Sequence, residues 1–305
     1  MTFNRDDSRL AFRRALGAGR PPTEITQQPY EGDPSYLRRL ARLQPGERPR
    51  DGDLLAYMHD LNYAEIQSSL FVYLLPMLLE MWRNDLRGTD NSYGGVLEYF
   101  YPVLADRKVF ELHLKPKQTN VVSEFMRQAI LEEIDDQRGL KYQGARTRPY
   151  RWFRELATYG VILPDIDRLW SAWWSMDTVG RAVAAVQYVS CLMYSKYENP
   201  IFLPWTPNGG GGPPCLWYFA GYLYTHRWLE PNVTFLRKAL TVGSIEEVLD
   251  RAVKRLVEQP EYPIAAEVQA DFPLCTETMA ARCAELPRLL EITQSPGKSF
   301  EWSTK

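Results

Sequence analysis

The sequence predicts an all-α fold, an irregular multi-helix bundle, from three observations. Apolar residues recur at helical spacing in most long segments between helix-breaking residues. Alternation of apolar and polar residues occurs only briefly, at Val109–Leu114, where a short strand or an extended connector is the alternative to helix. No repeat of fixed period is present, so a regular solenoid is not expected. With 305 residues, of which 45% are apolar, the chain can bury a substantial core.

Residues 1–50 are predicted to form a helix followed by a proline-rich strap. Residues 5–16 have the spacing of a short amphipathic helix. Six prolines then lie between positions 19 and 49, and only residues 35–43 leave room for a helix between them. Because proline interrupts both helices and sheet ladders, this segment is expected to be a linker or a strap over another surface.

A first helical bundle is predicted at residues 51–140. Asp53 is placed to cap one helix, and Asn62 is placed to cap a second helix with a long apolar segment. Pro76 lies in the middle of that second helix and predicts either a kink or two abutting helices. Asn120 is placed to cap a further helix that has one apolar face.

A second helical bundle, rich in aromatic residues, is predicted at residues 141–295, with residues 296–305 as a loose tail. The polar segment 138–150 contains two glycines and is the preferred boundary between the two bundles. One continuous core shared by both bundles is the alternative.

Capping residues predict where helices of the second bundle begin. Asp177 precedes a long apolar segment and is placed as its N-cap. Ser244 and Glu247 form a capping box before a strongly amphipathic segment. A final helix is predicted at residues 276–286.

Charge, cysteine spacing and hydropathy limit the classes of function. The formal net charge of −2 gives no general affinity for nucleic acid or anionic lipid. The four cysteines form no Cys-x-x-Cys pair, which favours reduced thiols in a cytoplasmic protein. The N-terminus has no apolar signal segment, and the most apolar runs, Leu70–Leu79 and Ala182–Met193, are shorter than the roughly 20 residues that span a bilayer. We expect a soluble cytoplasmic protein without nucleic-acid or membrane partners.

No spacing typical of a metal or cofactor site is present, so neither is expected. The three histidines include no i,i+4 pair, and the run Gly209–Gly212 is followed by two prolines instead of the residues of a phosphate-binding loop. The one catalytic candidate is His226, which shares a helical face with Tyr222 and could act as an acid or base. A histidine satisfied near a helix C-terminus is the alternative.

The most unusual signal is the concentration of aromatic residues in the second half. Seven of the nine tryptophans lie between positions 152 and 228. Indole and phenol rings suit ligand pockets and interaction surfaces as well as cores. The candidates for a ligand- or partner-binding surface are Trp173, Trp174, Trp205 and Tyr222.

One part of the first bundle carries a family resemblance. The segment from Leu70 to Pro76 reads L-F-V-Y-L-L-P and is followed by a loop, a hydrophobic stretch and a helix that starts near Thr119. Over residues 53–137 this arrangement resembles an uncharacterised bacterial all-helical domain family of unknown function, in which a Tyr-Leu-Pro segment has one leucine fewer. The resemblance implies a bacterial, cytoplasmic, helical protein, and no functional residue carries over from it.

These observations favour a non-catalytic cytoplasmic binding protein, for instance an immunity or accessory protein that captures another protein. The alternative is a cofactor-independent enzyme or a small-molecule binder. Its aromatic cleft would lie under the loop at residues 204–214, with His226 as acid or base.

Overall fold

The computed structural model describes residues 12–17, 20–30, 34–44, 47, 49–88, 95–140, 148–194, 199–201 and 227–291. Within these ranges every regular element is a helix and no strand occurs. The all-α fold predicted from the sequence is therefore confirmed.

The chain divides into two compact units, unit 1 at residues 1–126 and unit 2 at residues 127–305. The division lies inside the long helix Pro116–Asp135. This division lies upstream of the polar segment 138–150, which the sequence favours as the boundary. Of that segment, residues 141–147 lie outside the described residues.

Unit 1 contains six described helices and the first part of a seventh. They are α1 (residues 12–16), α2 (Ser35–Ala41), α3 (Asp51–Asp60), α4 (Ser68–Leu86), α5 (Gly95–Ala105), α6 (Val109–His113) and α7 (Pro116–Asp135). Helix α3 packs against α2 and α5, and α4 packs against α5. The core of the unit lies along α4, where Leu70, Phe71 and Leu74 have no exposed surface.

Helix α4 is not divided by its proline. It continues from Ser68 to Leu86 as one element, although Pro76 lies inside it. An internal proline costs about 3 kcal/mol, whereas burying one leucine stabilises by about 1.5–3 kcal/mol. Since Leu74, Leu75 and Leu78 are all fully buried, their burial outweighs the missing hydrogen bond. The sequence predicted either a kink or two abutting helices at Pro76. The prediction of two abutting helices is wrong, because α4 is continuous.

Three helix starts in unit 1 differ from the sequence prediction. Asp53 lies in the first turn of α3, where it pairs with Arg39 at 2.7 Å instead of capping. Asn62 lies in the turn before α4, with its side-chain amide donating to a carbonyl of α3 at 3.3 Å. Helix α7 begins at Pro116, whose fixed φ suits the first turn, so Asn120 is inside the helix.

The segment at Val109–Leu114 is helical and forms α6 up to His113. Val109 and Phe110, which are consecutive, are both buried, whereas Leu112 is exposed. In a helical turn, consecutive residues such as these can both face a core. The strand or extended connector that the sequence allowed is therefore wrong.

Unit 2 contains the end of α7 and six further described helices. They are α8 (Arg148–Ile162), α9 (Ile166–Trp174), α10 (Val179–Met193), α11 (Glu230–Ala239), α12 (Val242–Leu256) and α13 (Tyr262–Leu290). Helix α10 packs against both α12 and α13. Every side chain from Ala182 to Met193 is buried, so α10 is the centre of this unit.

Three helices of unit 2, α10, α12 and α13, also begin at positions other than those predicted. Thr178, not Asp177, is the N-cap of α10, and its hydroxyl accepts a backbone N–H at 3.2 Å. Thr241, not Ser244, caps α12 in the same way. The predicted final helix at residues 276–286 is the central part of the much longer α13.

Candidate functional site

The predicted aromatic surface of unit 2 is described only in part. Two of its four residues, Trp205 and Tyr222, lie outside the described residues, as does the catalytic candidate His226. The other two lie on α9. Trp173 has no exposed surface, and its indole N–H donates to the carbonyl of Arg181 at 3.2 Å. This ring is therefore part of the core.

The neighbours of Trp173 form one buried aromatic cluster. The ring of Trp170 lies 5.2 Å from that of Trp173 and 5.2 Å from that of Tyr188, and Trp152 lies 5.0 Å from Trp173. The rings meet edge to face, the arrangement that their quadrupoles favour. All four side chains are buried, so this cluster stabilises unit 2 from inside.

Trp174 lies beside this cluster and reaches the surface. Its side chain is partly exposed, and its ring lies 5.2 Å from that of Trp170. Its indole nitrogen is buried and has no hydrogen-bond partner among the described residues. A buried N–H without an acceptor costs about 1–3 kcal/mol, so an acceptor that reaches this nitrogen would be stabilising.

A second aromatic cluster lies on the surface of unit 1 and consists of Tyr30, His59 and Tyr63, here called the Tyr30–Tyr63 surface. The two tyrosine rings stack at 4.5 Å, and His59 lies 5.1 Å from Tyr63. Tyr30 is 50% exposed, Tyr63 is 56% exposed and the His59 side chain is 45% exposed. Exposed apolar side chains that lie together in this way are typical of interaction sites.

The turn that carries Tyr63 is fixed by backbone and arginine contacts. The Tyr63 N–H donates to the carbonyl of Asp60 at 3.0 Å, which continues α3 into the turn. The guanidinium of Arg107 donates to the carbonyls of Asn62 and Ala64 at 3.0 and 2.8 Å. The turn is therefore held on both sides of Tyr63, and its ring has a defined position.

The strap that carries Tyr30 is held by the side chain of Gln67. Its Oε1 accepts the N–H groups of Thr26 and Gln27 at 2.9 and 3.3 Å, and its Nε2 donates to the carbonyl of Glu24 at 2.8 Å. In return, Oε1 of Gln27 accepts the Gln67 N–H at 3.1 Å. These reciprocal bonds hold the strap against the segment before α4.

An open groove of about 440 Å³ lies between the strap and this segment. Its lining residues are Thr26, Gln27, Gln28, Pro29, Tyr30, Ala64, Glu65, Ile66 and Gln67. Tyr30 belongs to both the groove and the Tyr30–Tyr63 surface, so the two features are continuous. Glu65 is the one charged residue in this lining, which makes the groove weakly acidic.

Ser68 and His113 form a separate polar contact in unit 1. Oγ of Ser68 lies 2.8 Å from Nδ1 of His113, at the start of α4. Burial, together with the charge of Arg107, lowers the pKa of His113 below its usual value of 6.5. The imidazole is therefore neutral at pH 7. A hydroxyl–imidazole pair can transfer a proton, and here it also joins α6 to the start of α4.

The Tyr30–Tyr63 surface was missed by sequence reasoning. Its tyrosines are far apart in the chain and belong to no motif, so only folding brings their rings together. The available signal was the strap itself, because a proline-rich segment that lies over a surface carries its aromatic residues with it. The density of tryptophan pointed instead to unit 2, where the described rings are mainly core.

The described residues were compared with the requirements of a metal site and of a membrane-spanning helix. No group of three or more His, Cys, Asp or Glu side chains among them could hold a metal ion. None of the described helices combines the length and the apolar character needed to cross a bilayer. Compared with models of protein families, with curated proteins and with solved structures, the chain gives no match in any of the three comparisons.

Proposed function

We propose that this chain is a binding protein that captures another protein through the Tyr30–Tyr63 surface. We further propose that it acts in the bacterial cytoplasm as an accessory or immunity protein. The observation that carries the first proposal is the stacked pair of half-exposed tyrosines, 4.5 Å apart. Tyrosine is among the residues that contribute most to protein interfaces.

Energetics favour this surface as a contact point. A tyrosine buries about 150–250 Å² when fully covered, so covering the exposed halves of two rings removes about 200 Å² from water. At about 25 cal/mol per Å² this stabilises a complex by about 5 kcal/mol before the cost of association. Gln67 and Arg107 already hold the two segments, so little further ordering is required.

The proposal is tested by affinity capture from a lysate of the native host. The immobilised full chain is expected to retain one dominant polypeptide, and the double variant Tyr30→Ala/Tyr63→Ala is expected to lose it. Tyr262→Ala is the matched control, because Tyr262 is an exposed tyrosine in unit 2. This variant should retain the same polypeptide as the wild type. Retention by the double variant equal to that of the wild type would contradict the proposal.

A second candidate function is small-molecule binding or cofactor-independent catalysis next to Trp174 in unit 2. It is supported by the partly exposed ring and its unused indole N–H. A metabolite screen by thermal shift tests it, since a ligand that binds the native state raises Tm by mass action. The shift should disappear in Trp174→Ala, and any turnover found should disappear in His226→Ala.

A further inference from the structure

The start of helix α4 in unit 1 brings a nucleophile and a base together. Ser68 is exposed and is the first residue of α4, and its Oγ lies 2.8 Å from Nδ1 of His113. A hydroxyl within hydrogen-bond distance of an imidazole is the arrangement that activates serine, because the imidazole takes the hydroxyl proton as the oxygen attacks. The two residues are 45 positions apart in the sequence, so only folding creates this pair.

The surroundings of His113 keep the imidazole in the state of a base. Its ring meets the buried ring of Phe71 edge to face, with centroids 5.9 Å apart, which supports it beside Ser68. Burial lowers the pKa of His113 below its usual value of 6.5, and the positive charge of Arg107 lowers it further. The imidazole is therefore neutral at about pH 7. Its Nδ1 accepts the Ser68 hydroxyl in the tautomer whose proton is on Nε2.

Two backbone N–H groups next to this pair are available to a substrate. The N-cap residue Gln67 makes no side-chain capping bond, and its carbonyl accepts the N–H of Phe71 at 2.9 Å, which is the first bond of the helix. In the part of the chain that the structure describes, the N–H groups of Ser68 and Ser69 therefore have no acceptor. The N–H of the residue after a serine nucleophile donates to the oxyanion of an acyl-transfer intermediate, and the positive end of the helix dipole favours that charge.

Access to the pair from solvent indicates the class of substrate. Ser68 is exposed, His113 is partly exposed, and Leu112, the residue before His113, is 68% exposed. A small ester can therefore reach Oγ of Ser68 from solvent, and Leu112 offers apolar surface next to the base for its acyl chain. A nucleophile, a base and donors for one developing oxyanion are the groups that acyl transfer requires, and the chain supplies each of them at this position.

We infer that Ser68 and His113 form a catalytic dyad that hydrolyses small carboxylic esters. Oγ of Ser68 bonds to the carbonyl carbon while its proton passes to Nδ1 of His113, and the N–H groups of Ser68 and Ser69 bind the oxyanion. The bond to the alcohol then breaks, and the alcohol leaves with the proton from His113. Water attacks the acyl group on Ser68 in the same way, which releases the acid and returns a proton to Oγ. This activity goes beyond the proposed function, because it does not use the Tyr30–Tyr63 surface.

Labelling of the full chain with a fluorophosphonate probe tests the inference, since this reagent bonds to an activated serine with loss of fluoride. Mass spectrometry of the digested wild type is expected to find the adduct on Ser68. The rate of p-nitrophenyl acetate hydrolysis should fall at least about tenfold in Ser68→Ala and in His113→Gln, because each variant lacks one member of the dyad. Ser171→Ala is the matched control and should keep the wild-type rate, because Ser171 is an exposed serine in the interior of α9.

The pH profile separates a catalytic role of His113 from a structural one. Only the neutral imidazole accepts the hydroxyl proton, so the wild-type rate should fall as the pH drops below about 6.5 and through the lowered pKa of His113. The residual rate of His113→Gln should show no such fall. Circular dichroism at each pH checks that the fold is retained.

Several results would each overturn the inference. Two concern the wild type alone: the absence of a probe adduct, or an adduct on a residue other than Ser68. The others are a wild-type rate of hydrolysis in Ser68→Ala or His113→Gln, an equal loss in Ser171→Ala, and a wild-type rate that does not fall below about pH 6.5. Because the first two need no variant, the test holds even if a substitution prevents folding. The proposed function is measured separately, by capture through Tyr30 and Tyr63.

Discussion

The tryptophan cluster of unit 2 and the Tyr30–Tyr63 surface of unit 1 use their aromatic residues in opposite ways. In unit 2 the rings of Trp152, Trp170 and Trp173 are buried and meet edge to face. In unit 1 the rings of Tyr30 and Tyr63 stack and stay about half exposed. The buried rings contribute their hydrophobic free energy on folding, whereas the exposed halves of the tyrosine rings stay in contact with water. In this chain the described rings of the tryptophan-rich region form a core, and the surface proposed to bind a partner lies where tyrosines remain exposed.

Truncation of one ring in each unit is the strongest test of this comparison. Trp170→Ala should lower the free energy of unfolding by about 3–5 kcal/mol, because a buried indole at the centre of the cluster is lost. Tyr63→Ala should lower it by about 0.5 kcal/mol or less, since the ring is largely exposed. Urea unfolding followed by circular dichroism measures both. Similar losses in the two variants would contradict the comparison.

The close packing of unit 2 is tested at a glycine. In Gly180→Ala the new Cβ would overlap the backbone carbonyl of Asp135, so we expect a loss of about 3 kcal/mol. Gly243→Ala is the matched control, because Gly243 occupies the same position in α12 and has open space around it. That variant should be neutral or more stable by up to about 1 kcal/mol. Thermal unfolding of the two variants compares them directly.

The fixed position of the strap in unit 1 is tested at Gln67. Gln67→Ala removes the acceptor of the Thr26 and Gln27 N–H groups, which should cost about 1–2 kcal/mol locally. Hydrogen exchange at these two amides should therefore become about tenfold faster, while global stability changes little. Gln28→Ala is the control, because the exposed Gln28 takes no part in these bonds. Unchanged exchange in Gln67→Ala would show that the strap is held by other contacts.

The smallest expected effect is the pH dependence contributed by His113. Because its pKa is lowered in the folded protein, the unfolded chain binds the proton first as the pH falls. The folded state then loses stability from about pH 6.5 downward, until the folded pKa is passed. His113→Gln should reduce the drop in Tm between about pH 7 and about pH 5. An identical drop in wild type and variant would exclude this contribution.

The helices could be predicted from the sequence because their signals are local. Helix α12 buries Ile245, Val248 and Leu249 on one face, as the helical spacing requires. The helix starts were less predictable, since several polar residues near each start can cap and the sequence does not rank them. The Tyr30–Tyr63 surface could not be predicted, because its geometry depends on how Gln67 holds the strap.

A tripeptide that occurs twice separates what the sequence determines from what the tertiary structure decides. Thr178-Val179-Gly180 and Thr241-Val242-Gly243 both begin a helix, and in both the threonine hydroxyl accepts a backbone N–H at 3.2 Å. This shared start is local in origin, because capping uses only neighbouring residues, although the sequence did not rank the threonines above Asp177 and Ser244. Only the first glycine meets the backbone of Asp135, whereas the second faces open space. Packing decides that difference, since it depends on which distant residue lies opposite, and the same physical reason exposes Tyr30 and Tyr63 and buries Trp173.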